Sequence, residues 1–118
     1  MTSIQDHVAN LQKAFCVERG VAFVPAPGES ILGFANGTRG QTPINGLRHP
    51  LVENTNGWYL WCGTEYSTSA DFFAPTHAKH IYEEFPSISK LLGLPPGYRF
   101  LAAGDYVDVW YDEKLLNI

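Results

Sequence analysis

The stretch Gly93-Leu94-Pro95-Pro96-Gly97 constrains this chain more than any other. Proline has no N–H and a fixed φ, so no helix can run through the pair. Leu91-Leu92 therefore close a helical pattern, with Gly93 placed for the left-handed position past a helix end and Leu94 packing back on it. Gly97 frees the backbone to turn. Beyond it, residues 98–103 and 106–111 are rich in aromatic and β-branched side chains and read as strands, with Ala103-Gly104 as a bend or bulge. In the second strand Val107, Val109 and Tyr111 share one face, and Tyr106, Asp108, Trp110 and Asp112 share the other. The first face reads as core. The second mixes aromatics with carboxylates and is the first candidate for a functional surface.

A chain of 118 residues, 45% hydrophobic and 14% aromatic, is expected to form one globular domain spanning 1–118. The net charge is −4 and no run of lysine or arginine occurs, which argues against nucleic acid or an anionic membrane as direct partners. A basic protein is the better electrostatic match. Apolar stretches fall short of a membrane span, and the N-terminus lacks a basic region followed by an apolar one, so a cytoplasmic location is expected. Cys16 and Cys62 are too few for a disulfide framework or a zinc site and read as buried free thiols.

Ser3-x-x-Asp6 fits a capping box, and Ile4, Val8, Leu11 and Phe15 recur along one helical stripe that ends at Arg19-Gly20. His7, at the stripe's edge, reads as structural. Residues 21–25 form a short apolar run stopped by Pro25 and Pro27, and 30–35 form a second, followed by the hairpin signal Asn36-Gly37. From 37 to 56 the chain is rich in Gly, Asn, Thr and Pro, which predicts a functional loop or short edge strands, with 47–53 as a strand. Gly37-Thr38-Arg39-Gly40 lacks the lysine, the spacing and the helix of a phosphate loop. Residues 57–66 carry bulky side chains on both faces (Trp58, Leu60, Cys62 against Tyr59, Trp61), which predicts a central strand covered on both sides and buried tryptophans. An aromatic platform for a sugar or base would instead need one of these tryptophans exposed. After the polar linker 66–75, Thr76 can cap a helix with Ile81, Phe85, Ile88 and Leu92 on one stripe, which Pro86 divides into a kinked pair over 76–92.

His77 and His80 lie three apart on that helix, and His49 could join them from the loop. Zinc needs a third protein ligand at a defined place, and an exposed polar helix face is the plainer reading, so neither a metal nor a cofactor is expected. Ser67, Thr68 and Ser69 with His77 and Asp71 supply hydrolase residue types without a nucleophile elbow. Asp108 and Asp112 would stand roughly 13 Å apart on a strand at ~3.3 Å per residue, too far for a glycosidase pair. Their row suits docking better than reaction.

Gly57-Trp-Tyr-Leu-Trp-x-Gly63, Asp71-Phe-Phe-x-Pro75-x-His77, Leu92-Gly-Leu-Pro-Pro-Gly-Tyr-Arg-Phe100, Asp108-Val-Trp110-x-Asp112 and Leu115-Leu116 together resemble the immunity protein 33 family of bacteria. The resemblance covers residue 45 to the C-terminus and rests on packing and turn motifs. It implies a protein that binds and neutralises a cognate toxin of a polymorphic toxin system, without catalysis.

The expected fold is α+β: an antiparallel or mixed sheet from 21–25, 30–35, 47–53, 57–66, 98–103 and 106–111, packed by the N-terminal helix and the kinked pair. The expected partner is a basic toxin, met by Asp105, Tyr106, Asp108, Trp110, Asp112 and Glu113, with the 37–56 loop as the other possible surface. The alternatives are a small metal-dependent enzyme or metal-binding domain using His77, His80 and His49, or an aromatic-lined ligand-binding module.

Overall fold

Bulk on both faces of one strand requires cover on both sides, and the strand that carries it lies inside the sheet. The computed structural model describes residues 4–67 and 71–117. A long helix α1 (Ile4–Arg19) precedes strands β1 (Ile31–Phe34), β2 (Ile44–Arg48), β3 (Thr55–Cys62) and β4 (Ala74–His77). Helix α2 (Ala78–Glu84), a 3-10 segment (Pro86–Gly93) and the hairpin β5 (Tyr98–Ala103) and β6 (Tyr106–Tyr111) follow, with a short 3-10 turn at Glu113–Leu116. The strands form one mixed sheet in the order β4-β1-β3-β2-β5-β6. Among the described residues, β1 and β3 are the one parallel pair and the other pairs are antiparallel. The fold is α+β, as expected.

One face of the sheet packs on α1, α2 and the 3-10 segment. Trp58, Leu60 and Cys62 of β3 meet Leu32, Phe34, Phe100 and Ala102 from neighbouring strands, and Val8, Cys16, Ile81, Ile88, Leu91 and Leu92 from the helical layer. On the opposite face Trp61, Leu47, Ala35 and Leu115 form a smaller core with Phe72 and Phe73. Trp58 is 0% and Trp61 5% exposed, so both tryptophans are buried and neither offers a platform. The Ile81-Phe85-Ile88-Leu92 stripe faces the core, and Pro86 divides the pair where expected.

Arg48 is fully buried at the centre of this arrangement. Its Nε donates to Asn56 O at 2.8 Å, Nη1 to Val24 O and Leu94 O at 2.7 Å each and to Leu92 O at 3.3 Å, and Nη2 to Pro25 O at 3.0 Å. Trp58 Nε1 donates to the same Leu92 carbonyl at 2.8 Å. Burial lowers the Arg48 pKa to about 10, yet the guanidinium remains charged at neutral pH. This fan of bonds ties two stretches of backbone outside the sheet, Val24-Pro25 and Leu92–Leu94, to Asn56 of β3.

That is why residues 21–25 are not a strand: the Val24 and Pro25 carbonyls turn to Arg48 instead of a ladder. Four further expectations give way. Asn36-Gly37 opens a 3-10 turn rather than a hairpin, because the chain leaves β1, passes the end of β3 and returns as β2. Strand 47–53 is displaced to 44–48, ending before Pro50, whose missing N–H cannot serve a ladder. Residues 74–77 are an edge strand instead of linker and helix start, with Pro75 tolerated at the edge; His77, not Thr76, precedes α2. Gly93 lies within the 3-10 segment without a positive φ, and its lack of a side chain matters because a Cβ there would lie 2.7 Å from Gln12 Cβ.

On α1 the buried row is Val8, Gln12 and Cys16, while Leu11 is 43% exposed. Gln12 is buried because its Nε2 donates to Tyr82 Oη and Ser89 O, both at 3.0 Å. Ser3 of the expected capping box, and the side chain of Ile4, lie outside the described residues. Gly20 takes φ +72 after the helix, as its place predicts. No helix among the described residues is long and apolar enough to cross a membrane.

Candidate functional site

The β5–β6 hairpin presents the surface on which most of the candidate residues meet. Ala103 pairs with Tyr106 across the two-residue turn Gly104-Asp105, and Gly104 at φ +58 supplies the positive φ such turns need. Register then places Arg99 opposite Trp110 and Leu101 opposite Asp108. Tyr106, Asp108 and Trp110 thus share the sheet face that lies away from α1 and α2. Over β3 that face is covered by Phe72 and Phe73, but at β6 it is open.

All six candidates are on or beside this hairpin. Asp105 occupies the turn, Tyr106 is 60% and Trp110 38% exposed, and Asp108 and Glu113 are exposed. Trp110 rests on the Arg99 guanidinium, 5.7 Å from ring centroid to Cζ. Asp112 stands apart from the others. Its Oδ2 meets Arg99 Nη1 at 3.4 Å and its Oδ1 accepts from Lys114 N at 3.2 Å, capping the final 3-10 turn. Half-buried and paired, it holds the hairpin in place.

The face opposite departs from expectation. Val109 packs on the main core, but Val107 is 39% and Tyr111 52% exposed. Tyr111 leans edge-on against Tyr98 at 5.2 Å without being covered. The cause is position: β6 is the outermost strand, past the reach of the helical layer, so both its faces meet solvent. Val107 and Tyr111 therefore join the exposed surface, although alternation alone assigned them to the core. Arg99 is the residue missed entirely, since only the register puts it under Trp110.

A second concavity lies at the other end of the same sheet face. Ile31, Gly33, His49, Tyr59, Phe73 and Pro75 help line a largely apolar pocket of about 240 Å³. Gly33 creates the room, because a Cβ there would lie 2.8 Å from the Tyr59 ring and 3.2 Å from Phe73. His49 Nδ1 lies 2.8 Å from Leu115 O, and a carbonyl only accepts, so Nδ1 carries the proton. The ring also meets Tyr59 edge-on at 5.5 Å.

His77 and His80 are exposed at the start of α2 with ring centroids 6.1 Å apart. No group of three or more His, Cys, Asp or Glu able to hold a metal occurs among the described residues, so His49 does not complete that pair. Thr68 and Ser69 of the Ser67/Thr68/Ser69 grouping lie outside the described residues. Cys16 and Cys62 are buried free thiols whose pKa values burial raises.

Compared with known families, the chain matches the Imm33-like domain over residues 11–112. That span includes α1 from Leu11 onward, all six strands and Trp110 and Asp112. No curated protein and no solved structure matches the chain.

Proposed function

This chain belongs to the Imm33-like domain family, and on that premise we propose that it is a non-enzymatic immunity protein which binds a cognate bacterial toxin and holds it inactive. The family implies a protein partner; the toxin, its basic character and a cytoplasmic place of action are our reading. The observation that carries it is the exposed hairpin surface. Tyr106 and Trp110 stand open beside Asp105, Asp108 and Glu113, on a protein of net charge −4. Exposed apolar side chains that adjoin one another mark contact surfaces better than scattered ones do, and buried aromatics dominate the binding energy of interfaces. Surrounding carboxylates give such a surface attraction for a basic partner and speed its approach. Asp112 contributes through Arg99, by fixing the platform under Trp110.

The experiment is a titration of the toxin encoded by the adjacent gene. The purified chain should form a 1:1 complex, and toxin activity should fall linearly to zero at one equivalent. No complex, or full inactivation by far less than one equivalent, would overturn stoichiometric neutralisation.

A further inference from the structure

Strand β6 has a second unusual property, in its backbone. Asp112 N donates to Gly97 O at 2.7 Å, and Gly97 and Asp112 continue the register in which Tyr98 faces Tyr111. Hydrogen-bonded and non-hydrogen-bonded pairs alternate along an antiparallel ladder. Trp110, Asp108 and Tyr106 therefore turn their N–H and C=O groups inward to β5, as does the N–H of Asp112, whose C=O accepts instead from Leu115 N. Those of Val107, Val109 and Tyr111 point outward from the last strand of the sheet.

Natural edge strands are kept from pairing by short length, proline, a bulge or charged side chains, lysine above all. The opposite edge obeys this: β4 has four residues and contains Pro75. β6 has six residues in unbroken register with β5, with no proline and no lysine. Its only charge is Asp108, and Asp105, Asp112 and Glu113 flank it.

We propose that β6 is a strand-addition site, and that the toxin is held by an extended basic segment that pairs with the outward backbone of Val107, Val109 and Tyr111. This rests on the immunity reading above and specifies how the contact is made. Main-chain bonds supply the attachment and alternate side chains the selection. On one face the incoming strand meets Tyr106, Asp108 and Trp110, which suit lysine or arginine. On the other it meets Val107, Val109 and Tyr111, which suit apolar residues. A second copy of β6 is the poorer occupant. Pairing through the same outward groups puts the carboxylates of both copies along one seam, and like charges across strands destabilise.

The test uses full-length protein and the toxin encoded by the adjacent gene. Residue-resolved amide exchange should show Val107, Val109 and Tyr111 exchanging freely alone and slowed at least ~100-fold in the complex, as new ladder bonds require. Val107→Pro removes an outward N–H without touching the β5 ladder and should weaken binding on the order of tenfold, whereas Val107→Thr should not. If Val107→Pro does not fold, the exchange of the wild-type amides decides. A wild-type complex whose three amides stay unprotected, or which Val107→Pro forms equally well, overturns strand addition and leaves the immunity reading standing. Protection of these amides in a dimer of the free chain would overturn it in favour of self-pairing. Absence of any wild-type complex would overturn both.

Discussion

Replacing Arg48 should expose how much of this fold hangs on one side chain. Its guanidinium donates to five backbone carbonyls at 2.7–3.3 Å, from β3, from the irregular 21–28 segment and from the end of the 3-10 segment and the residue after it. Hydrogen bonds to a charged group contribute ~1.5 kcal/mol each at the low end, so five are worth roughly 7 kcal/mol. Against this stands the burial of the charge. A pKa lowered to about 10 corresponds to roughly 3 kcal/mol of desolvation. Arg48→Met keeps the apolar stem, removes every bond and avoids the charge burial, so the net loss should be about 4 kcal/mol, a large part of a small domain's stability. Arg48→Lys keeps the buried charge but cannot span the planar fan, so it should be no more stable than methionine. Urea unfolding followed by tryptophan fluorescence and far-ultraviolet circular dichroism measures both variants. The reasoning fails if methionine stays within about 1 kcal/mol of wild type. It also fails if lysine restores full stability, since charge alone would then suffice.

Trp58→Ala and Trp61→Ala should each cost about 3–5 kcal/mol in the same assay, with Trp58 at the upper end because Leu92 O also loses its indole donor; wild-type stability for either would contradict a buried strand. Gly57 sits at φ +84 and a Cβ there would lie 2.1 Å from the His49 carbonyl oxygen, so Gly57→Ala combines strain with a clash and should cost at least ~2 kcal/mol, read from the thermal midpoint. Burial raises both thiols' pKa values, so Cys16 and Cys62 should resist an aromatic disulfide reagent at pH 8 and react in step with unfolding as urea rises. Rapid labelling in the absence of urea would show that the cores are not closed over them.

The parts of the fold that were legible in the sequence are those decided locally. Bulk on both faces of 57–66 identified the central strand, although it runs Thr55–Cys62 and ends where Gly63 takes φ +88, and Pro95-Pro96 with Ala103-Gly104 located the β5–β6 hairpin. The helical stripe broken at Pro86 held for the same reason. What failed depends on long-range partners. Residues 21–25 have strand composition, but an arginine two dozen positions later takes their carbonyls. Nothing local reveals that 74–77 pairs with β1, or that the chain skips a strand position after Phe34. The six candidate residues come together on or beside one hairpin because they are close in sequence. Its exposure on both faces follows only from β6 being outermost, and the different role of Asp112 follows only from its contact with Arg99.

Capture of a basic toxin by the acidic, aromatic β6 surface, as proposed above, is read from association kinetics. Asp105→Lys with Asp108→Lys leaves the Arg99–Asp112 contact intact and changes the local charge by +4. Toxin association should slow at least ~10-fold at low salt and approach wild type as screening rises. Trp110→Ala should instead speed dissociation by ~30-fold or more, as loss of an interface anchor does. Unchanged association at both ionic strengths, with unchanged dissociation for Trp110→Ala, would contradict the claim and place the toxin contact elsewhere on the molecule.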